Sequence, residues 1–173
     1  MFKRRKDRRG GGGDGDGDAR EVFLGLRRQL LTLDPAELEL SPSPGRPRVW
    51  ALFMEMGLDT GTASLVAVAD GTTSLYMSTG GGVIGGGEHQ GVRRVSEAFL
   101  DTAEAHLDRL QAISEAPLPQ TGAIRFHALT FDSLRSAEAE EGELVDGRSE
   151  LAPLFYAGNE VLTQLRLIDQ RRQ

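Results

Sequence analysis

Residues 48 to 57, RVWALFMEMG, carry apolar side chains on both alternating faces, and Glu55 is the one charged residue between Val49 and Gly57. A segment with no polar face is what a central strand covered on both sides requires. The chain is therefore expected to build a sheet around it. Residues 62 to 69 and 72 to 79 follow as a hairpin around Asp70-Gly71, a dipeptide that tolerates the positive φ of a tight turn. A two-residue turn there sets Val66 opposite Leu75, Val68 opposite Thr73 and Leu65 opposite Tyr76. Val66, Val68, Leu75 and Met77 then share one face, and the smaller Ala67, Ala69 and Ser74 lie on the other. One firm core side is expected of such a sheet.

Helical spacing surrounds these strands. Val22, Phe23, Leu26, Leu30 and Leu33 recur so as to predict an amphipathic helix over 19 to 33, with Arg20, Arg27 and Arg28 outside its apolar stripe. Asp18 and Glu21 form a capping box at its start, and Asp34-Pro35-Ala36-Glu37 repeats that signature for a short second helix. The prolines of SPSPGRP, residues 41 to 47, make an extended connector that sets residues 19 to 40 apart as an N-terminal helical arm. Val92, Val95, Phe99, Leu107 and Leu110 predict a helix over 91 to 113, ended by Pro117 and Pro119. Residues 123 to 131 and 134 to 140 read as a second hairpin around Asp132-Ser133, which sets His127 opposite Glu138. Residues 138 to 146 read as an acidic loop. Ser149 caps a helix over 150 to 170, and Gly158 within its apolar stripe predicts a closely packed neighbour, because a mid-helix glycine costs about 1 kcal/mol relative to alanine. The sum is one α+β domain over 48 to 170, an antiparallel sheet of about five strands flanked by helices, preceded by the arm and by a disordered basic and Gly/Asp tail over 1 to 18.

Charge divides the chain in the same way. Its net charge is -6, yet residues 1 to 9 carry +5, so everything after them sums to -11. An acidic body makes nucleic acid an unexpected partner for the folded domain. The basic tail suits salt-sensitive attraction to anionic surfaces, but it lacks the aromatic interleaving of single-strand binders and any lipidation signal after Met1. It runs into GGGGDGDGD rather than an apolar stretch, so export by a signal peptide is not expected, and no apolar run approaches the ~20 residues of a membrane span. With no cysteine, the chain has no disulfide, thiolate nucleophile or Cys-ligated metal. Its lysines are Lys3 and Lys6 alone, so the body lacks a P-loop lysine and a Schiff-base lysine. A cytoplasmic setting and no cofactor are expected.

The segment from Ser78 to His89 contains the candidate site. Gly80, Gly82 and Gly85 satisfy G-x-G-x-x-G after a strand and before a helix, and with Gly87, His89 and Arg93 they make a candidate phosphate cradle of free backbone amides, a helix start and a cation. The hairpin that precedes it is not a βαβ unit, and no acidic residue ends a strand about 20 residues on. The competing expectation is a structural loop in which the glycines supply positive φ and Val83 and Ile84 tuck onto the sheet. Asp14, Asp16 and Asp18 suggest calcium, but Ala19 and Gly25 stand where an EF-hand needs glycine and glutamate. His89, His106 and His127 are too scattered for a metal motif. Glu88-His89 is the one histidine beside an acid in sequence, and no nucleophile elbow accompanies Ser78 or Thr79. No catalytic residue and no metal ligand are assigned.

The runs VWALFMEMG, ADGTTSLYMSTGGGVIGGGEH and PLFYAGNEVLTQLRLI resemble a family of uncharacterised bacterial proteins over residues 48 to 168. That resemblance carries no activity to transfer. The order helix, three strands, helix, hairpin, helix also resembles the profilin-like layout of roadblock and longin domains. These resemblances imply a small regulatory or adaptor module that binds a protein partner or pairs with a second copy through a helix or strand edge. The alternative function is a nucleotide or phosphate-ligand binder, with or without catalysis, that uses residues 80 to 87.

Overall fold

The structure is a computed structural model that describes residues 14 to 172; the basic run of residues 1 to 9 and the first glycines after it lie outside the described residues. It is an α+β fold with one antiparallel sheet between helices. Among the described residues there are seven strands: β1 (Val49–Leu58), β2 (Gly61–Val68), β3 (Thr73–Met77), β4 (Gly82–Val83), β5 (Gln111–Ile113), β6 (Ala123–Thr130) and β7 (Leu134–Glu140). Their order is β4-β3-β2-β1-β6-β7-β5. The five expected strands form the middle of the sheet, and the two additional ones are its short outermost members. β1 is central and buried over most of its length, as its unbroken apolar run requires.

Four α-helices among the described residues accompany the sheet: α1 (Asp14–Leu31), α2 (Gln90–Ala105), α3 (Glu141–Val145) and α4 (Ala152–Arg172). α2 and α4 cover one face, where Leu52, Met54, Leu65, Phe99, Phe126, Leu154, Val161 and Leu165 make the main core. Gly158 is the point of closest approach. A Cβ there would press on Met54 of β1 and on Phe99 of α2, so both the sheet and a neighbouring helix supply the close contact that its sequence predicts. The opposite face carries a second core of Trp50, Ala51, Phe53, Val66, Val68 and Leu129, covered by Leu30 and Leu31 of α1 and by Leu33, Leu38 and Leu40 beyond it. Both sides of the sheet are thus firm, where one was expected.

Turn length explains that difference. The first hairpin closes on a three-residue loop, Ala69-Asp70-Gly71, with Val68 N–H donating to Thr72 O (2.9 Å), Gly71 N–H donating to Val68 O (3.0 Å) and Gly71 at φ 95°. Leu65 therefore pairs with Leu75, and Val66 with Ser74. The one-residue slip moves Leu75 to the face of Leu65, Ala67 and Met54, while Val66 and Val68 lie with Phe53 on the other. The second hairpin turns at Phe131-Asp132, where Thr130 N–H donates to Ser133 O, and this sets His127 opposite Ser136 and Glu138 opposite Arg125. A bulge at Trp50 in the β1–β6 pairing resets the alternation of β1, sending Val49 to one core and Ala51 to the other.

Helix boundaries moved for local reasons. α1 begins at Asp14, so Asp18 lies within it and does not cap it. Asp16 and Asp18 lie near the positive end of the helix dipole, which offsets Gly15 and Gly17. α2 stops at Ala105, and a 3-10 turn over Leu107–Arg109 leads into β5. Leu107 and Leu110 are three apart, a spacing that a 3-10 turn buries as well as an α-helix does. The acidic segment after β7 folds as α3, pinned by the buried Leu144. Asp34 caps a 3-10 turn over Pro35–Leu38, accepting from Ala36 N–H at 2.9 Å, as its sequence predicts. No helix among the described residues is long and apolar enough to cross a membrane.

Candidate functional site

The glycine-rich segment folds back on the sheet. Gly82 and Val83 form β4 against Leu75 and Tyr76, while Gly80, Gly81, Gly82 and Gly85 all take positive φ. Gly86 and Gly87 are buried: side chains on them would overlap Leu165 and the carbonyl oxygen of Gly71, respectively. Val83 packs on the main core and Ile84 stays 67% exposed, so half of the expected tuck is made.

The six candidate residues are divided in space. Gly85, Gly87 and Arg93 line a cavity of about 220 Å³ beside Asp70 and Glu88. Gly80 lines a different one of about 310 Å³ beneath α1. Gly82 and His89 line neither. Arg93 Nε donates to Gly87 O at 3.3 Å, and the exposed His89 lies 3.4 Å from an Arg172 nitrogen. One guanidinium facing two carboxylates is a poor electrostatic match for a phosphate. Ser78 Oγ accepts from Thr62 N–H, and Asp132 accepts from Thr130 and Ser133 at a hairpin tip, so neither aligns with a histidine. His106 Nδ1 contacts Thr102 O within its own helix.

A different group of residues converges on the second face of the sheet. Glu55 of β1 is fully buried, with Ser64 of β2 as its cross-strand neighbour and the fully buried His127 on β6 beside it. Above them lies Arg27 of α1. Glu55 Oε1 accepts from Arg27 Nε (2.8 Å) and Ser64 Oγ (2.7 Å), and Oε2 accepts from Arg27 Nη2 (2.8 Å). Nη2 also donates to the carbonyls of Ala116 (2.9 Å) and Pro117 (3.3 Å), in the strap that leads from β5 back across the sheet. His127 Nε2 is 3.3 Å from Glu55 Oε2 and 3.2 Å from Pro117 O. Arg27 Nη2 lies 3.3 Å from the same nitrogen, and Nδ1 has no partner among the described residues. The ring edge meets Phe53 in a T-shaped contact at 6.5 Å.

Burial pushes the Glu55 carboxyl up, but hydrogen bonds from His127 and Arg27 and the Arg27 charge pull it down further, to about 2. A carboxylate held this firmly does not exchange protons near neutrality. The arrangement clamps a helix to a sheet instead of offering an open acid or base. Arg27 sits four residues after Phe23, the one buried side chain of α1 among the described residues, so the helix is anchored by this aromatic and this cation. Sequence periodicity assigned Arg27 to the outer face and missed the cluster. The available signal was Glu55 itself, since a charge in a two-sided apolar strand demands a partner.

Among the described residues no group of three His, Asp or Glu side chains is placed to hold a metal ion. No family model, curated protein or solved structure matches this chain, and its resemblances to a bacterial family and to roadblock and longin domains gain no support from those comparisons.

Proposed function

We propose that this chain acts by binding another protein, as a regulatory or adaptor module in a cytoplasmic setting, with the sheet face beneath α1 as its working surface. The observation that carries this reading is the division of the buried cluster between elements. The acceptors come from β1, β2 and the strap, whereas the cation comes from a helix laid across them. Such a face is chemically equipped to hold a helix. The glycine-rich segment offers less to a ligand, since its buried glycines are consumed by close packing and Arg93 shares its cavity with Asp70 and Glu88.

A thermal-shift screen with nucleotides and phosphorylated metabolites tests the reading. No rise in melting temperature is expected, because ligand binding stabilises only where a site exists. A rise that disappears in Arg93→Ala would overturn it in favour of a phosphate-ligand binder. Arg93 is the variant of choice, because a side chain at Gly82 would overlap the Leu75 carbonyl and disturb β3 directly.

A further inference from the structure

We infer that the partner presents an amphipathic helix with an aromatic residue followed four positions later by arginine, and that α1 is the resident occupant which this helix displaces. The inference rests on the protein-binding reading above and names the chemistry of its partner.

The receptor side is buried, and the occupant is held chiefly through two anchors, Phe23 and Arg27. Glu55, Ser64 and His127 are all buried in the sheet, and the Ala116 and Pro117 carbonyls complete a set whose guanidinium comes from α1. An unpaired buried carboxylate is strongly unfavourable, so the face must be filled by a positively charged side chain. Geometry selects arginine over lysine. Two carboxylate oxygens are met in parallel by Nε and Nη2 while Nη2 also reaches the strap, a planar fork that the single nitrogen of an ammonium does not reproduce.

α1 fills little else of the surface. Val22 is 60% exposed, and Leu24, Leu26, Leu30 and Leu31 are only partly covered. Space remains on both sides of the Phe23 and Arg27 anchors: about 310 Å³ beside Ala19 and Val22, and about 330 Å³ beside Leu24 and Leu31. A helix with the same anchors and bulkier apolar residues at these flanking positions gains burial that α1 forgoes. That difference is what displacement requires, because a tethered occupant competes at a high effective concentration and a ligand shifts an equilibrium only by its differential affinity.

The test uses a fluorescein-labelled synthetic peptide of residues 14 to 33 and the full chain. The peptide is expected to bind Arg27→Ala chain, whose own helix has lost its anchor, at least about tenfold more tightly than wild-type chain. A peptide carrying Arg27→Lys is expected to bind that chain about tenfold more weakly than the native peptide. Absence of saturable binding to a folded Arg27→Ala chain, or equal binding of the two peptides, overturns the inference but leaves protein binding through other surfaces intact. A metabolite response in the thermal-shift screen overturns the underlying reading instead. Should Arg27→Ala chain fail to fold, hydrogen exchange on wild type decides: α1 amides from Val22 to Leu31 are expected to open at least about tenfold faster than those of β1 and β6, and opening only with the sheet overturns the inference.

Discussion

Arg27 and Glu55 meet through two parallel hydrogen bonds of 2.8 Å, one to each carboxylate oxygen, across the boundary between α1 and the central strand. The two partners differ in their escape routes. Arg27 keeps 11% of its side-chain surface exposed, whereas Glu55 has none. Removing the arginine strands a buried charge; removing the acid lets the guanidinium swing toward water. Arg27→Ala is therefore expected to cost about 3 to 5 kcal/mol and Glu55→Gln about 1 to 3 kcal/mol. The apolar pair Arg27→Met with Glu55→Leu should recover most of the larger loss. Urea denaturation midpoints of the four chains measure this directly.

The same pair makes stability depend on pH. The Glu55 carboxyl titrates at about 2 in the folded chain against an ordinary 4.5. A depressed folded value contributes stability that is fully present above 4.5 and is lost as pH falls toward 2, a total of about 3 kcal/mol. Glu104, lowered by hydrogen bonds from Arg48 and the Val49 amide that outweigh its burial, adds loss in the same direction. Urea midpoints measured from pH 6 down to pH 2.5 should fall, and Glu55→Gln should flatten that fall.

Glu104 also joins α2 to the start of β1. Its Oε2 accepts from both the Arg48 and Val49 amides, at 3.1 and 2.8 Å, while Oε1 pairs with Arg48 Nε. In Glu104→Ala the Val49 amide is left buried without an acceptor, an expected loss of about 1 to 3 kcal/mol. Faster hydrogen exchange at Val49 than at Leu52 would locate the damage; unchanged protection at Val49 would contradict this account.

Two glycines should respond with opposite signs. An alanine at Gly87 would drive its Cβ into the Gly71 carbonyl, and backbone does not yield as a side-chain tip does, so Gly87→Ala is expected to destabilise by about 1 to 3 kcal/mol or more. Gly25, in the middle of α1, has nothing within 4 Å of the added carbon. Gly25→Ala should stabilise by up to about 1 kcal/mol through helix propensity. Thermal melts of the two variants would show shifts in opposite directions.

The legibility of the chain follows from the range of each signal. Local signals were readable: the two-sided apolar run of β1, the Asp34 cap, both hairpins and the tight neighbour of Gly158 all appear where the residues place them. Registers were not, because Asp70-Gly71 does not declare whether two or three residues close its turn, and Asp132-Ser133 does not declare which two residues close the other. A shift of the second turn by one residue moves the pairing by two and takes His127 from Glu138 to Ser136. The buried cluster lay beyond local reading for a different reason. Arg27, Glu55 and Ala116 are far apart in the chain, and α1 offers several arginines of which the sheet accepts one. The glycine-rich segment was legible as a loop with positive φ. Its partition into an edge strand and two close-packed glycines depends on Gly71 and Leu165, which its own sequence does not contain.

The margins of the sheet end in Gly82–Val83 on one side and Gln111–Ile113 on the other. Neither offers a template long enough for another chain to extend. Growth of the sheet by addition of further copies at its margins is thereby disfavoured.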